Sequence, residues 1–158
     1  MNLLRYSATA LLSLSGMYAG MVLARIAPEE LEPGKIYFRM IQNILIALIV
    51  AVLAYTLFSK MTITILIFLI TYGFLFFYFH SQRIRYLLFG PVFFLSLPSP
   101  PVFFIQSTLI FLHGFAAGTL STQQHHKPRI TTVITNIATI ILPSLILAVL
   151  LYILQQVL

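Results

Sequence analysis

Four stretches of this chain, Leu3–Ile26, Ile41–Phe58, Ile63–Phe79 and Val102–Ser121, are apolar runs near the length that carries a helix across a bilayer. A fifth, Ile130–Val157, is long enough to cross with tilt. Inside hydrocarbon a backbone must satisfy its own polar groups, so runs like these fold as helices. The chain of 158 residues is 60% hydrophobic and 8% charged, with a mean hydropathy of +1.02. A soluble domain of that length could not hide so much apolar surface. The expected fold is therefore all-α: one integral membrane domain over residues 1–158, a polytopic helical bundle.

The number of spans turns on Tyr86–Leu97, which has only twelve residues before Pro98-Ser99-Pro100-Pro101. At about 1.5 Å per residue it covers roughly 18 Å of a roughly 30 Å core. Starting at Arg83, with snorkelling arginines, brings it closer to spanning. Charge arbitrates. With six spans, Arg25, Lys35, Arg39, Arg83, Arg85, Lys127 and Arg129 share one side, and Arg5 and Lys60 the other, seven against two. If the short segment dips in and returns, the division falls to five against four. The positive-inside preference favours six spans, at about 3–26, 41–58, 63–80, 83–97, 102–121 and 130–157, the fourth short and Pro-terminated. The basic loops are then cytoplasmic, both termini lie outside, and the location is the cell membrane.

The first segment also invites a signal-peptide reading, with Arg5, an apolar stretch from Ala8 and small residues at Ala19-Gly20. The basic flank of Arg25, Lys35 and Arg39 argues for its retention.

Two pairs of segments resemble each other. Leu48–Leu57 aligns with Leu145–Leu154 at seven of ten positions, and Gly16-Met17-Tyr18-Ala19-Gly20 with Gly114-Phe115-Ala116-Ala117-Gly118. The offsets, 97 and 98 residues, are nearly equal, which suggests a duplicated hairpin: the first two spans echoed by the last two. With six spans the copies run parallel. With five they would be inverted, as in many secondary transporters. Between spans, Ser59-Lys60-Met61-Thr62 permits a tight turn, and Ala27–Lys35, with Pro28, Pro33 and Gly34, reads as an ordered turn.

Small-residue stripes are the best-supported local signal. Gly16, Gly20 and Ala24 lie four apart on one face, as do Gly114 and Gly118, which suits close helix packing. Packing within the chain is the simpler expectation; a dimer interface or a sliding helix pair is the sharper one. His113 stands well inside a predicted span, with Gln106 seven residues earlier on nearly the same face. Polar groups are costly in lipid, so this pair is the candidate substrate or permeation site. A neutral histidine bonded to a neighbouring helix is the plainer reading. Asn43 and Asn136 suit interhelical hydrogen bonds, and Pro91 and Pro143 supply irregular backbone.

The aromatic run Tyr72–Phe79 covers every face of its helix and reads as an interfacial belt. Arg83, Arg85, Lys127 and Arg129 are candidates for anionic lipid headgroups.

Enzyme chemistry finds little support. His80, His125 and His126 share a predicted side with Glu29, Glu30 and Glu32, but no H-E-x-x-H spacing occurs and the chain has no aspartate and no cysteine. No metal site, cofactor or catalytic residue is assigned. Nucleic acid is an unsuitable partner, for want of a basic stripe on a soluble surface. The expectation is a small, non-catalytic, transporter-like or channel-like protein whose partners are the bilayer and either a second copy or a larger membrane complex. An accessory or scaffold subunit is the alternative, and a lipid-modifying enzyme stands well behind.

Overall fold

The computed structural model describes residues 3–78, 82–123, 142–143, 145–150 and 152–154. Among the described residues, the main helices run in order α1 (Leu3–Leu14), α2 (Gly16–Ile26), α3 (Pro28–Phe58), α4 (Met61–Tyr78), α5 (Gln82–Ser96) and α6 (Pro100–Gln123). Among the described residues, three helical segments are long and apolar enough to cross a membrane: Leu4–Ile26, Pro33–Phe58 and Pro100–Leu120. Met61–Phe76 is a shorter apolar helix.

The first apolar run holds a seam at Ser15. Its N–H is shared between the Leu11 and Leu12 carbonyls at 2.9 and 3.2 Å, and its Oγ donates to Leu12 O at 2.7 Å. Thr9 and Ser13 return their hydroxyls to the carbonyls four residues back, at 2.8 and 2.7 Å. Such back-bonding bends helices without breaking them, so α1 and α2 follow one path.

The expected turn over Ala27–Lys35 is corrected. α3 begins at Pro28 and runs through Pro33 for 31 residues. Pro28 stands in the first turn, where its missing N–H has no partner to lose. Pro33 forfeits only one early bond, and Glu29 complements the positive end of the helix. Reading prolines as loop punctuation missed this, because proline at a helix start is compatible with the helix. α3 stops where Ser59 turns left-handed (φ 51°), its N–H closing on Tyr55 O at 2.8 Å. The tight turn into α4 follows at once. α5 has 15 residues and carries Pro91 inside. A turn at Leu97 and Pro98 then leads into α6, whose early residue Phe103 donates its N–H to Ser99 O at 2.9 Å.

α6 is the hub. α1, α2, α3 and α5 pack on it, while α4 packs on α3. The core is aromatic: Tyr6, Phe93 and Phe103 are fully buried, with Tyr6–Phe103 at 5.6 Å and Phe93–Phe103 at 6.0 Å between ring centroids. Tyr6 also stacks on Tyr152 at 4.8 Å and donates its hydroxyl to Ala148 O at 3.1 Å, tying α1 to helical residues 145–150 and 152–154. Outside this core Leu66, Leu69, Ile70 and Phe76 of α4 stand exposed, the apolar surface a lipid-facing helix presents.

Glycines set the closest approach. A methyl on Gly16 would collide with Phe111 O, and one on Gly20 with Phe115 O. From the other side, one on Gly118 would collide with Met17 O, and one on Gly114 would sit 2.9 Å from Met17 N. Numbers rise together along both helices, so α2 and α6 run parallel, with backbone against backbone. Ala24, one turn beyond Gly20, is also buried.

Candidate functional site

Residues three, four and seven apart on α6 face the interior: Gln106, Ser107, Ile110, His113, Gly114 and Ala117 are all buried. Gly114 on this face also meets α2, so the glycine contact fixes α6 along its edge. His113 is fully buried and packs against two rings of α5, the three forming a triangle. Its ring centroid is 5.1 Å from Phe89, edge to face, and 5.6 Å from Tyr86. Tyr86 and Phe89 themselves meet edge to face at 5.1 Å. One turn of α5 supplies this aromatic bracket, since Tyr86 and Phe89 are three residues apart.

The bracket leaves polar atoms unengaged. Neither ring nitrogen of His113 has a hydrogen-bond partner among the described residues, nor has the Tyr86 hydroxyl. That hydroxyl lies above Gly114, 3.1 Å from where a methyl would stand. Tyr86 is therefore seated at the junction of α5 with the α2–α6 contact, beside His113. Arg85, next in the chain, is only 5% exposed.

Gln106 is also fully buried, but it engages another helix. Its Nε2 donates to Ile49 O on α3 at 2.9 Å, while Oε1 has no partner. The sequence placed His113 and Gln106 on one face, and both turn inward. The structure hands one to α5 and the other to α3. Asn43 on α3 and Ser107 on α6 are buried too, with Asn43 Oδ1 and Ser107 Oγ unpartnered among the described residues.

Of the residues singled out for headgroups, Arg85 is inside the bundle, and the Arg83 side chain, Lys127 and Arg129 lie outside the described residues. His80, His125, His126 and Asn136 lie outside them as well. Among the described residues, no group of histidine and acidic side chains is placed to hold a metal ion. Tyr86 is the residue that sequence reasoning missed. It stood at the edge of the ambiguous short segment, where a tyrosine beside two arginines reads as an interface marker. Only the packing of α5 on α6 brings it to His113.

Among the described residues the fold is all-helical, with three segments long and apolar enough to cross a membrane. Comparison with protein-family models, with curated proteins and with solved structures finds no match.

Proposed function

We propose that this chain is a multi-pass protein of the cell membrane, non-catalytic and transporter-like or channel-like, with its polar site at His113 and Tyr86. One observation carries the reading: two fully buried polar side chains touch in an apolar bundle while three of their polar atoms are without partners among the described residues. Buried polar groups without partners are rare in native folds and call for an explanation. Within lipid they are costlier still and mark solute or ion paths. Gln106 belongs to the same face but also fastens α6 to α3.

The parallel course of α2 and α6 supports six spans, because a short segment that dipped and returned would leave them antiparallel. With six spans the basic loops are cytoplasmic and both termini outside. The same contact supports the duplicated hairpin, for matching glycines in the two copies meet each other. A scaffold docking through these stripes would need them on the surface, whereas Gly16, Gly20, Gly114 and Gly118 are buried.

The test is flux through proteoliposomes. Protons and a panel of small ions and neutral solutes are followed for the wild type and for His113→Phe, which keeps an aromatic ring against Tyr86 and Phe89. Flux that the variant lacks supports the site. Equal flux in both proteins, or none from the wild type across the panel, would remove it.

A further inference from the structure

Between His113 and the end of the bundle where α6 begins, aromatic rings line the way. His113 touches Phe89, and Phe93 stands one turn further along α5. Phe93 meets Phe103 at 6.0 Å between centroids, Phe103 meets Tyr6 at 5.6 Å, and Tyr6 stacks on Tyr152 at 4.8 Å. These last four rings come from four helical segments, and none is more than 6% exposed. Phe103 precedes His113 by ten residues, which sets the cluster about 15 Å from it along α6. On the face of α6 that carries His113, Ile110 and Phe103, a polar path to that end runs into these rings. Hydrophobic constrictions of this kind gate by excluding water.

One of the four rings is mounted differently from the rest. Tyr6 belongs to α1, which the Ser15 seam separates from α2. α2 is fixed to α6 backbone against backbone at Gly16 and Gly20. Ser15-Gly16 is the kind of pair at which helices bend, and the Ser15 N–H is divided between two carbonyls. α1 can therefore tilt at Ser15 while α2 stays in place. Its far end is held by the Tyr6 hydroxyl, which donates to Ala148 O at 3.1 Å.

We infer that Tyr6 is the movable leaf of an aromatic gate, hinged at Ser15 and latched on Ala148, which closes the His113 site toward the end where α6 begins. Such a gate presupposes the proposed polar site and sets how one side of it is shut. With six spans, that side faces outside.

Thiol labelling of the full chain in proteoliposomes tests the gate without relying on flux, since the chain has no native cysteine. Ile110→Cys puts a reporter between Phe103 and His113, at a fully buried position behind the rings. A charged methanethiosulfonate added from the side where α6 begins should label it slowly. Tyr6→Phe, which removes one hydrogen bond and keeps the ring, should speed labelling about three- to tenfold, and Tyr6→Ala should speed it further. Ala51→Cys, buried on the face of α3 turned away from Gln106, should stay slow in all three backgrounds. Spin-label distances locate the hinge. With Tyr6→Ala, the distance from Leu4→Cys to Lys60→Cys should broaden, and that from Val22→Cys to Lys60→Cys should not. Equal Ile110→Cys rates in wild type, Tyr6→Phe and Tyr6→Ala would overturn the gate. So would acceleration of Ala51→Cys by the same factor, or equal broadening of both distances. If Tyr6→Ala speeds labelling in a protein that carries no solute, the gate stands and the reading of His113 as a transport site falls.

Discussion

Gly20 and Gly118 face each other across the α2–α6 contact in reciprocal fashion. A methyl on Gly20 would strike Phe115 O, and a methyl on Gly118 would strike Met17 O. Met17 precedes Gly20 by three residues, and Phe115 precedes Gly118 by three. The next neighbours repeat the pattern: Thr119 N at 3.0 Å from the first methyl position and Met21 N at 2.9 Å from the second. One contact is thus made twice with the roles exchanged, as when two like helices pack about a local two-fold axis parallel to both.

Adding side chains here forces two backbones apart. Gly20→Ala or Gly118→Ala should destabilise the protein by about 1–3 kcal/mol, the range for overpacking a tight contact. Gly73 supplies the control, since nothing lies within 4 Å of a methyl there. Gly73→Ala should be neutral or stabilising by up to about 1 kcal/mol. Reversible unfolding in mixed micelles measures all three, and equal effects would contradict the close approach of α2 and α6.

Tyr6 and Tyr86 are both fully buried, yet their hydroxyls differ. Tyr6 donates to Ala148 O, whereas the Tyr86 hydroxyl has no partner among the described residues. Tyr6→Phe should therefore cost about 0.5–1.5 kcal/mol, and Tyr86→Phe should cost nothing or stabilise. The same unfolding assay distinguishes them. A larger loss from Tyr86→Phe would mean that its hydroxyl is engaged within the protein.

The Gln106 bond to Ile49 O links α6 to α3, but Ile49 lies within a continuous helix whose own ladder serves its carbonyl. Gln106→Leu should then cost less than about 1 kcal/mol, the usual scale of interhelical hydrogen bonds in membranes. A loss several times larger would show that Gln106 has further partners and serves as more than a fastener.

Topology can be read by cysteine labelling against a background without native cysteine. Lys35→Cys and Lys127→Cys should react with an impermeant reagent from one side of sealed vesicles, and Lys60→Cys and Ser99→Cys from the other. Lys35 and Lys127 labelled from opposite sides would refute six spans.

Most of the helical architecture was legible in the chain. Except at the start of α3, the apolar runs delimit the described helices to within a few residues, because in lipid hydropathy and helix formation are nearly the same constraint. α4 and α6 begin two residues from where the sequence puts them, at Met61 and Pro100. Misreadings came where proline and serine act through local geometry: the helical start at Pro28 and the seam at Ser15.

What the sequence determined by itself was composition along a line: which segments are apolar, where glycines recur every fourth residue, and that His113 and Gln106 share a face. Those follow from side-chain chemistry and helix periodicity alone. Only the tertiary structure decided that Gly16 and Gly20 meet Phe111 and Phe115, that Gln106 turns to α3, and that His113 rests against Tyr86. Partner choice among helices depends on shape and close packing, since lipid offers an apolar face almost as good a neighbour as another helix does. Periodicity says which way a residue points, and packing alone says what it meets.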